Sequence, residues 1–240
     1  MDAAQQSAAW ARIAASARQD RSDVSLATAG HACAGDLGAD SLGIVVITTG
    51  RVRTVALATD ERSARLENTQ LVSGEGPCTE AYTGAELVQV PDLRRNPERW
   101  PVFAEVAQAL GIRSVTAIPL EVGAVRIGAI DLYHTSPTSL GPTARARLEA
   151  YARILAVLIL DAHPYLMGTG VPPVPGPPGF PPTVHQAAGA LAVQQDMSTD
   201  TALVRLRAHA YRHDQPLLDV AQQVLDGRLH LEGDPDPDVS

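Results

Sequence analysis

Arg205, His209 and Arg212 fall at i, i+4 and i+7 of a helical pattern, one stripe beside an apolar face, and Arg207 lies on the other flank. Guanidinium groups so arranged can grip phosphates and stack on unpaired bases, the usual way of reading an RNA hairpin loop. The same stripe also fits a solvated helix face. His209 and His213 are four apart, a spacing that suits two metal ligands. No nearby Cys, Glu or third His completes a set, so they read as surface histidines and no metal or cofactor is expected. Cys78 follows Gly76-Pro77 at a helix start, where the helix N-terminus favours a thiolate and a redox role; a small buried residue is the other reading. Cys33 lies on an alanine-rich helix and has less claim. Glu75, Glu80, Asp92 and His134 show no spacing that prefers a catalytic site over scattered surface charge. No nucleophile elbow, zinc-protease helix or dinucleotide fingerprint occurs. All 19 basic residues are arginine, which excludes phosphate-loop and Schiff-base lysines. No catalytic residue is expected.

The arginine stripe needs a helical scaffold. Val184, Ala187, Ala188 and Leu191 follow helical spacing, as do Ala202, Leu203, Leu206 and Ala210, and then Leu217, Val220, Ala221, Val224 and Leu225. Three such faces close on one another as a small bundle. Ser198 is placed to cap the middle helix, and Gly189 suggests close packing of the first. From Thr183 to Leu231 there are four Arg and five Asp, so one copy carries little electrostatic hold on a phosphate backbone. Two copies would double the arginines.

Upstream, a helix is expected over about Gln5–Arg18, with Trp10, Ile13, Ala14 and Ala17 along one side. A second, capped by Ser22 or Asp23, should run to about Gly35. Strands follow at Ser41–Thr49 and Val52–Thr59, joined by Thr49-Gly50-Arg51. Asp60 caps a helix to about Leu71, and Pro77 opens another. A short strand at Glu86–Val90 precedes Asn96-Pro97, which reads as the start of a helix over Glu98–Leu110. Ile112–Glu121 and Val125–Tyr133 are strands with apolar residues on both faces, so the sheet should be covered on each side. Asp131 and Tyr133 read as residues of a sheet face. Thr143–Asp161 is an amphipathic helix with Leu148, Tyr151, Leu155, Leu158 and Ile159 on its apolar face. The layout is α+β, a meander of five or six antiparallel strands flanked by helices, followed by a small all-α unit.

Residues 172–182 hold seven prolines in eleven positions, a semi-extended spacer. The acidic end, residues 233–240, reads as disordered. The net charge of −8 argues against indiscriminate nucleic-acid binding. The longest apolar run, Ile154–Leu160, is far short of the ~18 residues needed to span a bilayer. With two cysteines and no basic, apolar leader, a cytoplasmic protein without membrane contact is expected.

The helices that open with Thr183-Val-His-Gln-Ala-Ala-Gly-Ala-Leu-Ala, Ser198-Thr-Asp-Thr-Ala-Leu-Val-Arg-Leu-Arg and Leu217-Leu-Asp-Val-Ala-Gln-Gln-Val-Leu resemble the ANTAR domain, the RNA-binding antitermination module of bacterial regulators. Leu206-Arg207, Ala210 and Val220-Ala221 match its pattern. The family often carries a basic residue where Ala188 and Pro216 stand. Gly74-Glu-Gly-Pro-Cys-Thr-Glu-Ala, Val90-Pro-Asp-Leu, Arg99-Trp-Pro-Val-Phe, Gly111-Ile-Arg-Ser-Val-Thr-Ala-Ile-Pro-Leu and Gly128-Ala-Ile-Asp-Leu-Tyr are similar to the GAF domain, a small-molecule sensor fold. The two resemblances imply an N-terminal helix at 1–19, a sensor at 20–162, a linker at 163–182 and an RNA-binding unit at 183–232. They further imply RNA contact by Arg205, Arg207, His209 and Arg212, and ligand contact in the sensor by Cys78, Asp92, Trp100 and Arg113. The partners expected are paired hairpins in nascent mRNA, a small-molecule or protein signal, and a second copy of the chain. Two other functions stay open: a bundle that only dimerises or docks a partner, and a thiol enzyme such as a GAF-like methionine sulfoxide reductase using Cys78.

Overall fold

The computed structural model describes residues 3–47, 53–123, 125–162, 183–213 and 215–231. The expected turn at 49–51, the proline spacer and the acidic end lie outside the described residues. The chain divides into two compact units, one built around a sheet and the other around the last three helices.

In the first unit α1 (Ala3–Gln19) buries Ala9, Ile13 and Ala17, and packs against α2 (Leu26–Leu37) and α6 (Pro142–Ala162). Trp10, expected on the inner side, is 46% exposed. The small residues one turn apart let the helix approach closely, and the indole is turned outward. α2 starts later than expected. Ser25 Oγ accepts from the Thr28 N–H while Thr28 Oγ1 accepts from the Ser25 N–H, a reciprocal cap that sets the helix start after Ser25 rather than after Ser22 or Asp23. It ends at Gly38, whose φ of 66° takes the left-handed cap; Gly35 stays helical.

The sheet has strands β1 (Ser41–Ile47), β2 (Arg53–Ala58), β3 (Val88–Val90), β4 (Ser114–Val122) and β5 (Val125–His134), all pairs antiparallel, in the order β2-β1-β5-β4-β3. This departs from a simple meander. β5 returns to lie between β1 and β4, and the chain crosses between the two edges through α3 (Glu61–Ser73) and α4 (Pro77–Gly84). Asp60 caps α3 as expected, accepting from the Ser63 N–H at 2.8 Å. α5 (Pro101–Ala109) begins three residues later than Glu98, because the ring of Pro101 holds Trp100 at φ −148°, ψ 81°, outside helical space. A single 3₁₀ turn at Leu93–Arg95 occupies part of the earlier stretch.

Both faces of the sheet are covered, as the paired apolar faces predict. On one, Leu42, Ile44, Ile118, Leu120, Ile130 and Leu132 meet α1, α2 and α6 in one apolar core. On the other, Val88, Val90, Val115, Ala117 and Tyr133 meet Leu66 of α3, Ala81 of α4 and Phe103 of α5. Alternate residues of one strand therefore serve different cores.

The second unit is a three-helix bundle of α7 (Thr183–Gln194), α8 (Thr199–Arg212) and α9 (Leu217–Leu225). Its buried residues are those the spacing predicts, except that Leu225 is 36% exposed and Leu231 closes that end. Ser198 caps α8, its Oγ accepting from the Thr201 N–H at 3.1 Å. Gly189 does not mark a close approach: a Cβ there would meet nothing within 4 Å.

Two glycines should therefore respond oppositely. A Cβ on Gly128 would collide with the Val45 carbonyl across β1 and β5, so Gly128→Ala should cost about 1–3 kcal/mol. Gly189→Ala should instead stabilise the bundle by up to about 1 kcal/mol. Denaturant unfolding of both variants checks the pair; a neutral Gly128→Ala would mean that β1 and β5 are not in this register.

Candidate functional site

Beneath α3 and α4, the sheet carries a cluster of polar groups with almost no contact with water. Glu67 and Gln70 lie one turn apart on α3, and Asp131 and Tyr133 are two apart on β5, so each pair projects from one face of its element. Glu67 is 0%, Gln70 2%, Asp131 1% and Tyr133 0% exposed. Tyr133 Oη donates to Glu67 Oε1 at 2.7 Å and lies 3.2 Å from Asp131 Oδ2. Gln70 Nε2 donates to Asp131 Oδ2 at 2.6 Å and Glu67 Oε2 at 3.1 Å. Its carbonyl end accepts the Cys78 backbone N–H at 2.9 Å. That last bond orients the amide, since a flipped Gln70 would set oxygen against two carboxyl groups. Two glycines make room: a Cβ at Gly43 would overlap the Glu67 carboxyl, and one at Gly76 would overlap the Gln70 side chain.

No cationic side chain is bonded to either carboxyl group among the described residues. Burial pushes the Asp131 carboxyl up to about 7. Burial, with Asp131 beside it, holds Glu67 well above the usual carboxylate range. The pair therefore shares a proton at neutral pH, because two bare charges in so dry a layer repel one another strongly. Cys78, the first residue after Pro77 in α4, is 2% exposed, and ligand atoms of Glu67, Cys78 and Asp131 all lie within 4.8 Å of one another.

The other expected sensor residues gather near the outer edge of the sheet. Arg113 Nη2 donates to Asp92 Oδ2 at 3.1 Å, and that bond is the main reason the Asp92 carboxyl sits below its ordinary range. Asp92 also caps the 3₁₀ turn through the Arg94 N–H. It lines a cavity of about 310 Å³ together with Gln89, Pro91, Arg95, Asn96 and Arg99. Trp100 is 5% exposed and meets Phe103 edge-on at 5.9 Å, while Arg99 stacks over its ring at 4.6 Å. Asp92 and Arg113 are thus brought together, whereas Trp100 anchors α5 and Cys78 belongs to the separate buried cluster.

On α8, Ala202, Leu203, Leu206 and Ala210 point into the bundle, leaving the basic groups along its flanks. Arg212 is exposed; Arg205, Arg207 and His209 are half-buried. Arg205 donates to the Gln195 side chain beyond α7, which fixes its guanidinium against the bundle. His209 stacks on His213 with ring centroids 4.1 Å apart, and burial, with His213 and Arg212 beside it, keeps His209 below its ordinary range.

A β2-β1-β5-β4-β3 sheet between two helical layers, joined to a three-helix bundle with basic flanks, can now be set beside known proteins. The family model for the GAF domain matches residues 19–160, and that for the ANTAR domain matches residues 182–225. The chain belongs to the GAF and ANTAR domain-containing regulators. No curated protein matches it. The GAF domain of an Acinetobacter phosphoenolpyruvate-protein phosphotransferase is 17% identical, with a TM-score of 0.50 over 68% of this chain and 98% of that one. A domain of a putative two-component sensor histidine kinase from Sinorhizobium meliloti is 20% identical, with a TM-score of 0.46 over 55% and 86%. At these identities the likeness shows the fold alone.

Within the GAF unit, sequence reasoning passed over Glu67 and Gln70 and took Asp131 and Tyr133 only for residues of a sheet face. The available signal was two polar residues at i, i+2 on a strand whose two faces must both be buried. That pairing produces a pH signature. In the unfolded chain Asp131 ionises near 3.8, and in the folded GAF domain near 7. Between those values the folded state holds more protons, so stability falls as pH rises through the window. Asp40, Asp60 and Asp92, whose carboxyls are held low, lose their contribution only below it. Glu67, also held high, adds to this fall and extends it upward, whereas His134, held below its ordinary range by burial, opposes it. With divalent ions removed, the thermal midpoint of Asp131→Asn should therefore fall less steeply with pH than that of the parent chain. An unchanged slope in that variant would place the proton elsewhere.

Proposed function

We propose that the GAF unit receives a signal, a small molecule or a protein, and uses it to set how two ANTAR units are presented to paired hairpins in nascent mRNA. Binding there stabilises the antiterminator form and prevents transcription termination in the cytoplasm. No helix among the described residues is long and apolar enough to cross a membrane, in keeping with this setting.

The observation that carries the reading is the basic edge of α8 in the unit matched to ANTAR. Arg205, His209 and Arg212 share one flank and Arg207 the other, all outside the apolar bundle face. Arg205 is pre-positioned by Gln195, which lowers the ordering cost of a phosphate contact. With four Arg against five Asp from Thr183 to Leu231, one bundle can neutralise few phosphates. Pairing two copies through the sensor raises the effective concentration of the second and doubles the arginines, which is why dimerisation belongs to the proposal. A signal acts here only if it binds the two dimer arrangements unequally.

The sensor supports a regulatory reading over the thiol-enzyme one. Cys33 packs in the core on one side of the sheet, while Cys78 is bonded into the α3–α4 cluster on the other. The sheet therefore separates the thiol that would attack from the one that would resolve it.

A gel shift with paired-hairpin RNA over a salt series tests the proposal. Arg207→Ala and Arg212→Ala should each weaken binding and lower the salt slope by about 0.7–1, and the exposed Arg212→Ala should do so with the unfolding midpoint of the bundle unchanged. Absence of binding at low salt would sink the RNA reading and leave a dimerisation or docking module.

A further inference from the structure

We infer that Glu67, Cys78 and Asp131 form a binding site for one divalent transition-metal ion inside the sensor unit. Three ligand atoms, a carboxylate oxygen from Glu67, another from Asp131 and the Cys78 sulfur, lie within 4.8 Å of one another. The three residues are 0%, 1% and 2% exposed. In a tetrahedral site with metal–oxygen bonds of about 2.0 Å and a metal–sulfur bond of about 2.3 Å, such donors stand roughly 3.5 Å apart. The set therefore needs to contract by about 1.3 Å at most, a shift within reach of side-chain rotation.

A second observation points to an occupant. Asp131 is buried, and its Oδ1 accepts no hydrogen bond from any N–H or hydroxyl of the described residues. A cation beside the two carboxyl groups would meet that oxygen. The surroundings are arranged for the carboxyl groups to stay where they are. Gly43 leaves space for Glu67, Gly76 leaves space for Gln70, and the Gln70 amide donates to both carboxyl groups. Amide partners of this kind orient ligands around a metal. Two carboxylates with one thiolate select a borderline ion such as Zn²⁺ or Fe²⁺ over Mg²⁺ or Ca²⁺, which take oxygen alone. Three protein ligands leave a fourth position for Tyr133 Oη, 2.7 Å from Glu67 Oε1, or for an outside ligand. His209 and His213, in the other unit, contribute nothing to this set.

The test uses the full chain, stripped with chelator and titrated with Co²⁺ under reducing conditions. One equivalent should bind and develop the near-ultraviolet thiolate-to-cobalt charge-transfer absorption. Cys78→Ser should lose that absorption, and Cys33→Ser and His209→Ala/His213→Ala should keep it. Gln70→Ala should weaken Co²⁺ binding by about 10–100-fold without moving the absorption. Circular dichroism confirms that each variant is folded; if Cys78→Ser is not, the Cys33→Ser and histidine variants still assign the sulfur by elimination. A folded wild-type chain with no charge-transfer absorption overturns the proposal, as does an absorption that disappears with Cys33. Because the readout is the metal itself, RNA binding can fail without touching this result.

Discussion

Burial of β5 on both faces brings two carboxyl groups, Glu67 and Asp131, into one dry layer with Tyr133 and Gln70, and the packing around the sensor sheet answers to that layer. β5 lies between β1 and β4, so it has no exposed edge, and Ile130 and Leu132 are committed to the core beneath α1, α2 and α6. Alternation then sends Asp131 and Tyr133 to the opposite side, under α3 and α4. Isolated carboxylates there would be costly. They are tolerated because they share a proton and because hydroxyl and amide donors converge on them.

That layer also joins the two helices that cross from one sheet edge to the other. Gln70 bonds the sheet through Asp131 and bonds the first turn of α4 through the Cys78 N–H. These bonds therefore tie both α3 and α4 to the sheet. Gly76, at φ 137°, lets the chain turn sharply between the helices while leaving the Gln70 side chain its space. A sensor whose interior polar groups connect two otherwise apolar layers has a physical route from an internal event to a movement of helices.

The ANTAR unit follows a different economy. Among the described residues its core is built of Ala, Val and Leu, and the basic side chains of α8 lie on the flanks of that helix. The bundle spacing places Arg205, His209 and Arg212 on one side by geometry alone, so the fold supplies rigidity and the flank supplies charge.

The sequence determined whatever depends on local periodicity. Three short amphipathic helices, the strands apolar on both faces, the Asp60 and Ser198 caps and the flanking position of the arginines all follow from spacings of two or about 3.6 residues. Where local signals competed, the sequence was less legible: the reciprocal Ser25–Thr28 cap set the start of α2 rather than Ser22 or Asp23, and Pro101 prevailed over Pro97 because it excludes Trp100 from the helix. Tertiary structure alone decided the order β2-β1-β5-β4-β3, since strand pairing between distant segments leaves no local mark. It alone also brought Glu67 within reach of Asp131, 64 positions away. In the sequence Asp131 reads only as a residue of a sheet face and Glu67 carries no signal, and only the closing of α3 over β5 removes both from water.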